Sequence, residues 1–460
     1  MDVMQLPPQT EPAPPPPGRR GLVIVGVVLL IAVVVVAGLI VGTRHASSSP
    51  QASQSDLASV AQIGGPGTWK ALPSAPGPTN GFVLFADRWI IAGPAGSGGL
   101  NPWTVYVYDT TTGSWKTYAQ GPKGQPPRTP FARVWDGTDM LVFGGFTKHT
   151  NVTYKTGVQK LRVGAYDTDN LSWEFNPRRG TWTQIPAMGV TAASAKGVNP
   201  QQRLGAVWTG QVVVVFGANN THVKGHSTGI TTMEFTPGKV PGKGTWVDYG
   251  SKSATKPQRL PGGSRIAPAY TWTGYQLVVW GGVSDVSAKS TNPAAALWDG
   301  NAKTLGDGYW YSTNTHLWQP IAAAPAGVSA VNPGASWNGT QWLFYGGTNI
   351  TKGKVTQLPG GYLYVPSQNA WESLPASPIA ALSGPVAAWT GNTLVVWGRA
   401  VGAGGKPGAP RGAVYDPVSG LWQRISSDST VAGPGAAAEW VDGQLVVVQN
   451  AKVAAWTPTP

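Results

Sequence analysis

The chain has 460 residues, with 33 Lys and Arg against 20 Asp and Glu, and it contains no cysteine. Without cysteine there is no disulfide, no thiolate metal ligand and no cysteine nucleophile. The 41 prolines are spread through the whole chain, and they exclude a helical bundle because a proline inside a helix costs about 3 kcal/mol. The composition therefore predicts an all-β protein.

The first predicted element is a transmembrane helix, Gly21–Gly42, which has 22 residues and no polar side chain. At about 1.5 Å per residue it reaches roughly 33 Å, which is enough to cross a bilayer core of about 30 Å. It is also longer than the apolar core of a secretory signal, so we interpret it as an uncleaved signal anchor. Arg19 and Arg20 precede the segment and only Arg44 follows it closely. This bias predicts a single-pass protein of the cell membrane, with a cytoplasmic N-terminus and the rest outside.

Two segments without predicted structure flank the anchor. Residues 1–20 are rich in proline, including the run Pro14–Pro17, which is typical of an extended tail. Residues 43–66 are rich in Ser, Ala and Gln, which is typical of a flexible linker. The folded domain is therefore predicted to span residues 67–460.

Within this domain a pattern recurs in which a Trp stands nine residues before a Gly, with a turn and an apolar run between them. In the first pair Leu replaces Trp, and in the last Gln replaces Gly: Leu84/Gly93, Trp135/Gly144, Trp208/Gly217, Trp272/Gly281, Trp337/Gly346, Trp389/Gly398 and Trp440/Gln449. Each unit is typical of a tight hairpin that leads into a buried strand, because a turn Gly supplies the positive φ that two-residue turns require.

A second pattern follows most hairpins, in which an aromatic residue stands seven positions before a Trp. It marks a third and an outer strand at Tyr108/Trp115, Tyr311/Trp318, Tyr364/Trp371 and Tyr415/Trp422. In the second unit both Phe175/Trp182 and Tyr166/Trp173 fit. We favour the first pair because the dipeptide Glu174-Phe175 recurs as Glu234-Phe235 in the third unit. Four strands in each repeated unit are typical of β-propeller blades.

These motifs carry a resemblance to a known family. An apolar run that ends in Gly-Gly, followed by a Tyr, six residues and a Trp, resembles the kelch repeat of the galactose oxidase and kelch-like propeller superfamily. The double Gly is kept at Gly144-Gly145, Gly281-Gly282 and Gly346-Gly347. The resemblance implies a propeller fold, but such propellers include enzymes, lectin-like modules and protein-docking scaffolds. A copper radical site of the galactose oxidase type would need a Cys–Tyr cross-link, which this chain does not have.

The two ends of the domain predict how the ring closes. Gly67–Pro73 matches the outer-strand pattern of Gly180–Pro186, yet no hairpin precedes it. The seventh unit has a hairpin and a third strand, Lys452–Thr457, and then lacks an outer strand. We therefore expect a seven-bladed kelch-like propeller, closed by the N-terminal strand in the last blade. We also expect at least three quarters of the 22 Trp to pack between blades.

Positive charge is concentrated in the second and third blades. From Lys116 to Arg265 there are 19 Lys and Arg and 7 Asp and Glu, whereas the residues after Arg265 contain 9 and 8. The excess has two interpretations: it keeps an exported protein soluble, or it attracts an anionic polymer or lipid head group. Nucleic acid is not an expected partner, because the domain lies outside and its basic loops lack aromatic platforms.

The candidate ligand-binding residues follow from the loops. The second-to-third-strand connections and the connections between blades open on one face, which we call the long-loop face. The long ones include Phe146–Asn170, Ala218–Gly229, Val283–Gly308 and Thr348–Gly360. Long connections of a repeat fold are usually where binding occurs. The predicted binding residues near this face are basic: Arg128, Arg203, Arg265, Lys148 and Arg162. Alternatively, arginines at such positions only brace neighbouring carbonyl groups.

No catalytic or metal-binding constellation stands out, and we expect no cofactor. His222 and His226 have a metal-ligand spacing for a helix, but they stand in a predicted loop without a nearby carboxylate. No pair of acidic residues can be assigned as general acid and base. The favoured hypothesis is a membrane-anchored recognition module for an anionic glycan, an envelope polymer or a protein. The alternative is a sugar-processing enzyme, isomerase-like or oxidase-like, with its site in the propeller funnel.

Overall fold

The computed structural model describes the chain from residue 66 onward, in the ranges 66–94, 101–123, 125, 132–156, 159–188, 205–217, 222–223, 226–227, 232–249, 260–261, 265–284, 303–351, 354–402 and 405–459. The predicted tail and anchor, and residues 43–65 of the predicted linker, lie outside these ranges. Within them, no helix has the length and apolar character that crossing a bilayer requires.

The domain is a seven-bladed β-propeller, in which each blade is a four-stranded antiparallel sheet. The first three blades, from the inner to the outer strand, are formed as follows: Phe82–Ala86, Trp89–Gly93, Val105–Asp109 and Ser114–Tyr118; Ala132–Trp135, Met140–Thr156, Gln159–Asn176 and Thr181–Ile185; Gly205–Trp208, Val213–Phe216, Met233–Pro237 and Gly244–Asp248.

The fourth, fifth and sixth blades repeat this order. Their strands are Ala269–Trp272, Leu277–Trp280, Gly308–Ser312 and Leu317–Pro320; Gly334–Trp337, Trp342–Tyr345, Gly361–Val365 and Ala370–Ser373; Leu382–Trp389, Leu394–Val401, Pro407–Asp416 and Leu421–Arg424. Three short strand pairs lie in the connections: His222–Val223 with His226–Ser227, Arg265–Ile266 with Val283–Ser284, and Thr348–Thr351 with Lys354–Gln357.

The seventh blade confirms the predicted ring closure. Its first three strands are Ala437–Val441, Gln444–Gln449 and Lys452–Thr457, and its outer strand is Thr68–Leu72 from the other end of the domain. Thr68 pairs with Thr457, and Leu72 pairs with Val453. This pairing leaves no open edge on the third strand, which would otherwise invite aggregation.

The hydrophobic core consists of seven clusters, each between two consecutive blades. The second strand of every blade is buried on both sides, which explains the continuous apolar runs in the sequence. Met140 and Val142 pack toward the first blade, and Leu141 and Phe143 pack toward the third. Of the 22 Trp, 21 belong to these clusters, which confirms the predicted packing role, while Trp298 lies outside the described ranges.

Indole hydrogen bonds join the rims of neighbouring blades. In five blades the outer-strand Trp donates its Nε1–H to a backbone carbonyl just after the outer strand of the preceding blade. The bonds are Trp69 to Ser426 (2.9 Å), Trp115 to Pro73 (2.8 Å), Trp246 to Pro186 (2.8 Å), Trp371 to Ala322 (2.8 Å) and Trp422 to Pro375 (3.0 Å). The sequence spacing of the outer-strand Trp is therefore a packing feature.

The strand register settles the ambiguity in the second blade. Phe175 pairs with Trp182, so the favoured spacing is confirmed, and Phe235 pairs with Trp246 in the third blade. Tyr166 lies instead opposite Lys148, in an extension of the second and third strands. The connection Phe146–Asn170, expected as a loop, is thus for the most part paired β-structure, and that expectation was wrong.

The glycine that follows the second strand of the fourth blade is required for steric reasons. Gly281 has a φ of +71°, and a Cβ atom there would lie 2.5 Å from the carbonyl oxygen of Ala330 in the connection to the next blade. A side chain at this position would therefore strain the backbone and clash with a neighbour that cannot rotate away.

Candidate functional site

The two faces of the propeller differ in their connections. The strands of a blade alternate in direction, so the inner-to-second and third-to-outer turns share one face, which we call the short-turn face. It includes the turns at 136–139 and 177–180. The strand Thr68–Leu72 starts on this face, since Thr68 pairs with the last residue of Lys452–Thr457. The described chain therefore enters the propeller from the side opposite the long-loop face.

The structure places three of the five candidate binding residues. Arg265 lies in the short strand pair at the long-loop side of the fourth blade. Lys148 and Arg162 lie in the extended strands of the second blade, where Lys148 pairs with Tyr166 and Arg162 pairs with Thr153. Arg128 and Arg203 fall outside the described ranges. The expected position of Arg128 and Arg203 beside Arg265 near the long-loop face therefore stays a prediction.

Arg265 is engaged with its own blade. Its side chain is 1% exposed, and Nη1 donates to the carbonyl oxygens of Gly281 at 3.1 Å and Asp307 at 3.0 Å. Nη2 donates to Oδ2 of Asp307 at 2.6 Å, and the guanidinium carbon lies 5.2 Å from the centre of the Tyr309 ring. These contacts hold the ends of the second and third strands together, which is the bracing role that the sequence left open as an alternative.

Asp307 is the solvent-facing partner of this ion pair, and sequence reasoning missed it. Its side chain is 47% exposed. Partial burial raises the pKa of Asp307, but the hydrogen bond and charge of Arg265 outweigh this effect, so the net pKa lies below the usual value. Burial and then the charge of Asp307 raise the pKa of Tyr309. In this arrangement the carboxylate, and not the guanidinium, faces solvent.

A cavity of about 480 Å³ opens at the short-turn face, where the seventh blade meets the first. Three carboxylates and one guanidinium stand among its lining residues: Phe85, Asp87, Arg88, Glu439, Trp440, Val441 and Asp442. The guanidinium is already engaged, since Nη2 of Arg88 lies 3.6 Å from Oδ2 of Asp109. The cavity is therefore acidic, and it lies opposite the face where the sequence predicted binding.

Glu439 is one of the three carboxylates of this cavity. It stands on an inner strand, which borders the central tunnel, and its side chain keeps contact with solvent. The surrounding wall nevertheless raises its pKa by desolvation, an effect that a backbone hydrogen bond at Trp440 partly offsets. The neighbouring Asp87 accepts a hydrogen bond from Nε1 of Trp135 at 2.8 Å.

Two other carboxylates are explained by contacts between blades. Oε1 of Glu234 accepts a hydrogen bond from the hydroxyl of Tyr311 at 2.9 Å and lies 3.2 Å from Nδ1 of His316. The ring of Tyr249 stacks on His316 with 3.6 Å between centroids. This Tyr–His–Glu group lies between the outer parts of the third and fourth blades, and it joins the third strand of one blade to the third-to-outer turn of the next.

Glu174 occupies the equivalent position one blade earlier. Its Oε1 accepts the backbone N–H of Gly242 at 2.9 Å, again in the third-to-outer turn of the following blade. Desolvation raises the pKa of Glu174 to about 6, and this rise is limited by the Gly242 hydrogen bond. The dipeptide Glu-Phe occurs at Glu174-Phe175 and again at Glu234-Phe235 because each glutamate contacts the following blade. Its repetition does not mark an acid–base pair.

Both histidines of the third blade lie in the connection between its second and third strands. His222 pairs with Ser227 and Val223 pairs with His226 in a short hairpin. Across the ranges that the structure covers, no group of three or more His, Asp or Glu is placed to hold a metal ion.

Comparison with known proteins gives one distant similarity. No family model matches the chain. The chain is 26% identical to N-acetylneuraminate epimerase from Yersinia enterocolitica over 264 residues, which are 45% of this chain and 65% of that protein. The chain thus covers less than two thirds of this relative.

Proposed function

We propose that the chain is a membrane-anchored recognition module of the kelch type, which binds an anionic glycan, an envelope polymer or a protein outside the cytoplasm. The observation that carries this proposal is the excess of 19 Lys and Arg over 7 Asp and Glu between Lys116 and Arg265. It is supported by the extended strands of the second blade, which leave the propeller on the long-loop side within this same region. A surface of one charge raises the local concentration of oppositely charged ligands.

A second candidate function is sugar processing, and it is favoured by the similarity to N-acetylneuraminate epimerase. N-acetylneuraminate is an acidic sugar, so both candidates require cationic groups near the ligand. The cavity at the short-turn face has three carboxylates in its wall and would repel such a sugar. A catalytic site for it would therefore lie toward the long-loop end of the tunnel.

One experiment tests the recognition module. We expect the full chain, purified in a mild detergent, to be retained on immobilised polygalacturonate and polysialate but not on neutral dextran. Retention should fall steeply between about 50 mM and about 500 mM salt, because added salt screens exposed charges over a shorter distance. Retention that does not depend on salt, or failure to bind any anionic polymer, would contradict the proposal.

The same preparation separates the two candidates. An epimerase would accelerate the inversion of one stereocentre of free N-acetylneuraminate, and proton NMR follows the two epimers directly. We expect the rate to equal the spontaneous rate at all protein concentrations. A rate that increases in proportion to protein concentration would favour the enzyme instead.

The membrane topology is tested by a reporter fused after Pro460. The apolar segment Gly21–Gly42 and the pair Arg19 and Arg20 predict reporter activity outside the cytoplasm. Activity in the cytoplasm would reverse the proposed orientation. Recovery of the propeller without the anchor in the soluble fraction would show that the segment is cleaved.

A further inference from the structure

The cations of the third-to-outer turns are confined to two neighbouring blades. The described turns of this type are residues 110–113, 177–180, 238–243, 313–316, 366–369 and 417–420. Every Lys and Arg in them belongs to the second or the third blade: Arg178, Arg179, Lys239 and Lys243. All four side chains are exposed. We call the turn 238–243 of the third blade the basic turn.

Hydrogen bonds fix the shape of the basic turn. The N–H of Gly238 donates to the carbonyl oxygen of Lys243 at 2.9 Å, and the N–H of Lys243 donates to the carbonyl oxygen of Val240 at 3.2 Å. Pro241 and Gly242 stand at the two central positions of this last turn, and Gly242 has a φ of +78°. Proline followed by a glycine with positive φ is the pattern of a type II turn. The tip therefore has a defined conformation.

The second blade supports the basic turn from one side. The N–H of Gly242 donates to Oε1 of Glu174 at 2.9 Å. A Cβ atom at Gly242 would lie 3.0 Å from the carbonyl oxygen of Gln184, which belongs to the outer strand Thr181–Ile185. That strand begins directly after the turn that carries the two arginines. The four cations therefore lie on adjoining turns.

The acidic groups beside these turns are engaged within the fold. Asp139 is 8% exposed and accepts a hydrogen bond from Nδ2 of Asn176 at 2.7 Å. Oδ1 of Asp136 accepts hydrogen bonds from the N–H groups of Thr138 and Asp139, both at 2.8 Å. Glu174 is bound to the basic turn itself. The exposed charge of the two turns is therefore mainly positive.

An apolar side chain stands at the tip of the basic turn. Val240 is 61% exposed, with Lys239 directly before it and Lys243 at the end of the turn. The sixth blade offers a counterpart, Val418, which is 93% exposed in the turn 417–420. Single exposed apolar residues are common on protein surfaces. Val240 differs from Val418 in the cations that surround it.

We propose that the basic turn binds the surface of an anionic bilayer, with Val240 inserted below the head groups and the neighbouring cations paired with lipid phosphates. Segments that bind at the membrane interface combine these two features, an apolar group that enters the boundary with the acyl chains and Lys or Arg beside it. A charged polysaccharide can pair with the lysines, but it has no apolar interior in which to bury Val240. The exposed valine therefore favours lipid over polymer. This contact is independent of the proposed recognition function.

The test uses the absence of cysteine from the chain, which allows a single labelled position. The full chain with Val240→Cys carries an environment-sensitive fluorophore at that residue. Val418→Cys is the matched control, in a turn of the same type without Lys or Arg. Each protein is incorporated into vesicles of phosphatidylcholine, with or without phosphatidylglycerol. The emission wavelength is measured together with quenching by acrylamide, a neutral solute that stays in the water.

We expect phosphatidylglycerol to shift the emission of the label at position 240 to shorter wavelength. Acrylamide should quench this label about three-fold less than in phosphatidylcholine alone, whereas the label at position 418 should stay accessible. Lys239→Gln with Lys243→Gln should restore quenching at position 240, because the attraction to lipid phosphate is lost.

A second pair of substitutions controls for net charge. Lys354→Gln with Lys406→Gln removes two exposed charges from second-to-third-strand connections and should leave the protection at position 240 unchanged. Melting curves for all variants show whether the propeller stays folded.

Three results would overturn the lipid contact. Equal quenching at position 240 in both kinds of vesicle would show that anionic lipid is not required. Equal protection at positions 240 and 418 would show adsorption unrelated to the basic turn. Protection by soluble polygalacturonate, with none from phosphatidylglycerol, would assign the turn to a polymer. Retention on polygalacturonate without protection by lipid would reject this contact alone and leave the recognition function standing.

Discussion

Alanine in place of Trp69 should lower the free energy of unfolding by about 2–4 kcal/mol. Trp69 stands in the strand that closes the propeller. The centroid of its indole lies 4.4 Å from that of Trp397, and its Nε1–H donates a hydrogen bond to the carbonyl oxygen of Ser426 at 2.9 Å. The substitution removes this aromatic contact and leaves a carbonyl at the rim without its donor. Urea denaturation followed by tryptophan fluorescence measures the loss.

Trp422→Ala is the matched control for the closing strand. Trp422 makes the same rim contact in the sixth blade, with 3.0 Å between its Nε1 and the carbonyl oxygen of Pro375, but its strand is joined to the blade by a covalent turn. Both variants should lose similar stability, and deletion of residues 66–72 should in addition cause aggregation through the open edge of Lys452–Thr457. A deletion variant that stays monomeric in gel filtration, with an unchanged melting curve, would contradict the closure.

Glutamine in place of Arg265 should lower the free energy of unfolding by about 2–3 kcal/mol. Arg265 is 1% exposed, and its loss leaves the carboxylate of Asp307 without a cation. It also leaves the carbonyl oxygens of Gly281 and Asp307 without their donor. Asp307→Asn should cost a similar amount, because it leaves the buried guanidinium of Arg265 without a counter-charge.

The Arg265 variant also separates structure from ligand binding. Arg178→Gln removes an exposed charge and should leave the urea midpoint unchanged. We expect Arg265→Gln to bind polygalacturonate normally at temperatures where it is folded. Unchanged stability together with weaker binding would reverse this assignment and make the guanidinium a ligand-binding group.

The repeat pattern alone predicts much of the fold, because the physical signals are local. A turn glycine, an apolar run and an aromatic at fixed spacing specify a hairpin and its buried strand within about ten residues. The number of blades follows from repetition, and the closing strand follows from an outer-strand pattern that has no hairpin before it. The Phe175/Trp182 register was recognised for the same reason, because the third blade repeats it.

The candidate site depends on contacts between residues that are far apart in the sequence, and no local sequence pattern predicts such contacts. Arg265 and Asp307 are 42 residues apart, and their pairing depends on how the second and third strands of the fourth blade end. Asp87 and Asp442 line one cavity only because the first and last blades meet. The segment Phe146–Asn170 was interpreted as a loop because polar strands carry no apolar alternation. Its pairing depends on a register between two polar strands, and that register appears only when the two strands are placed side by side.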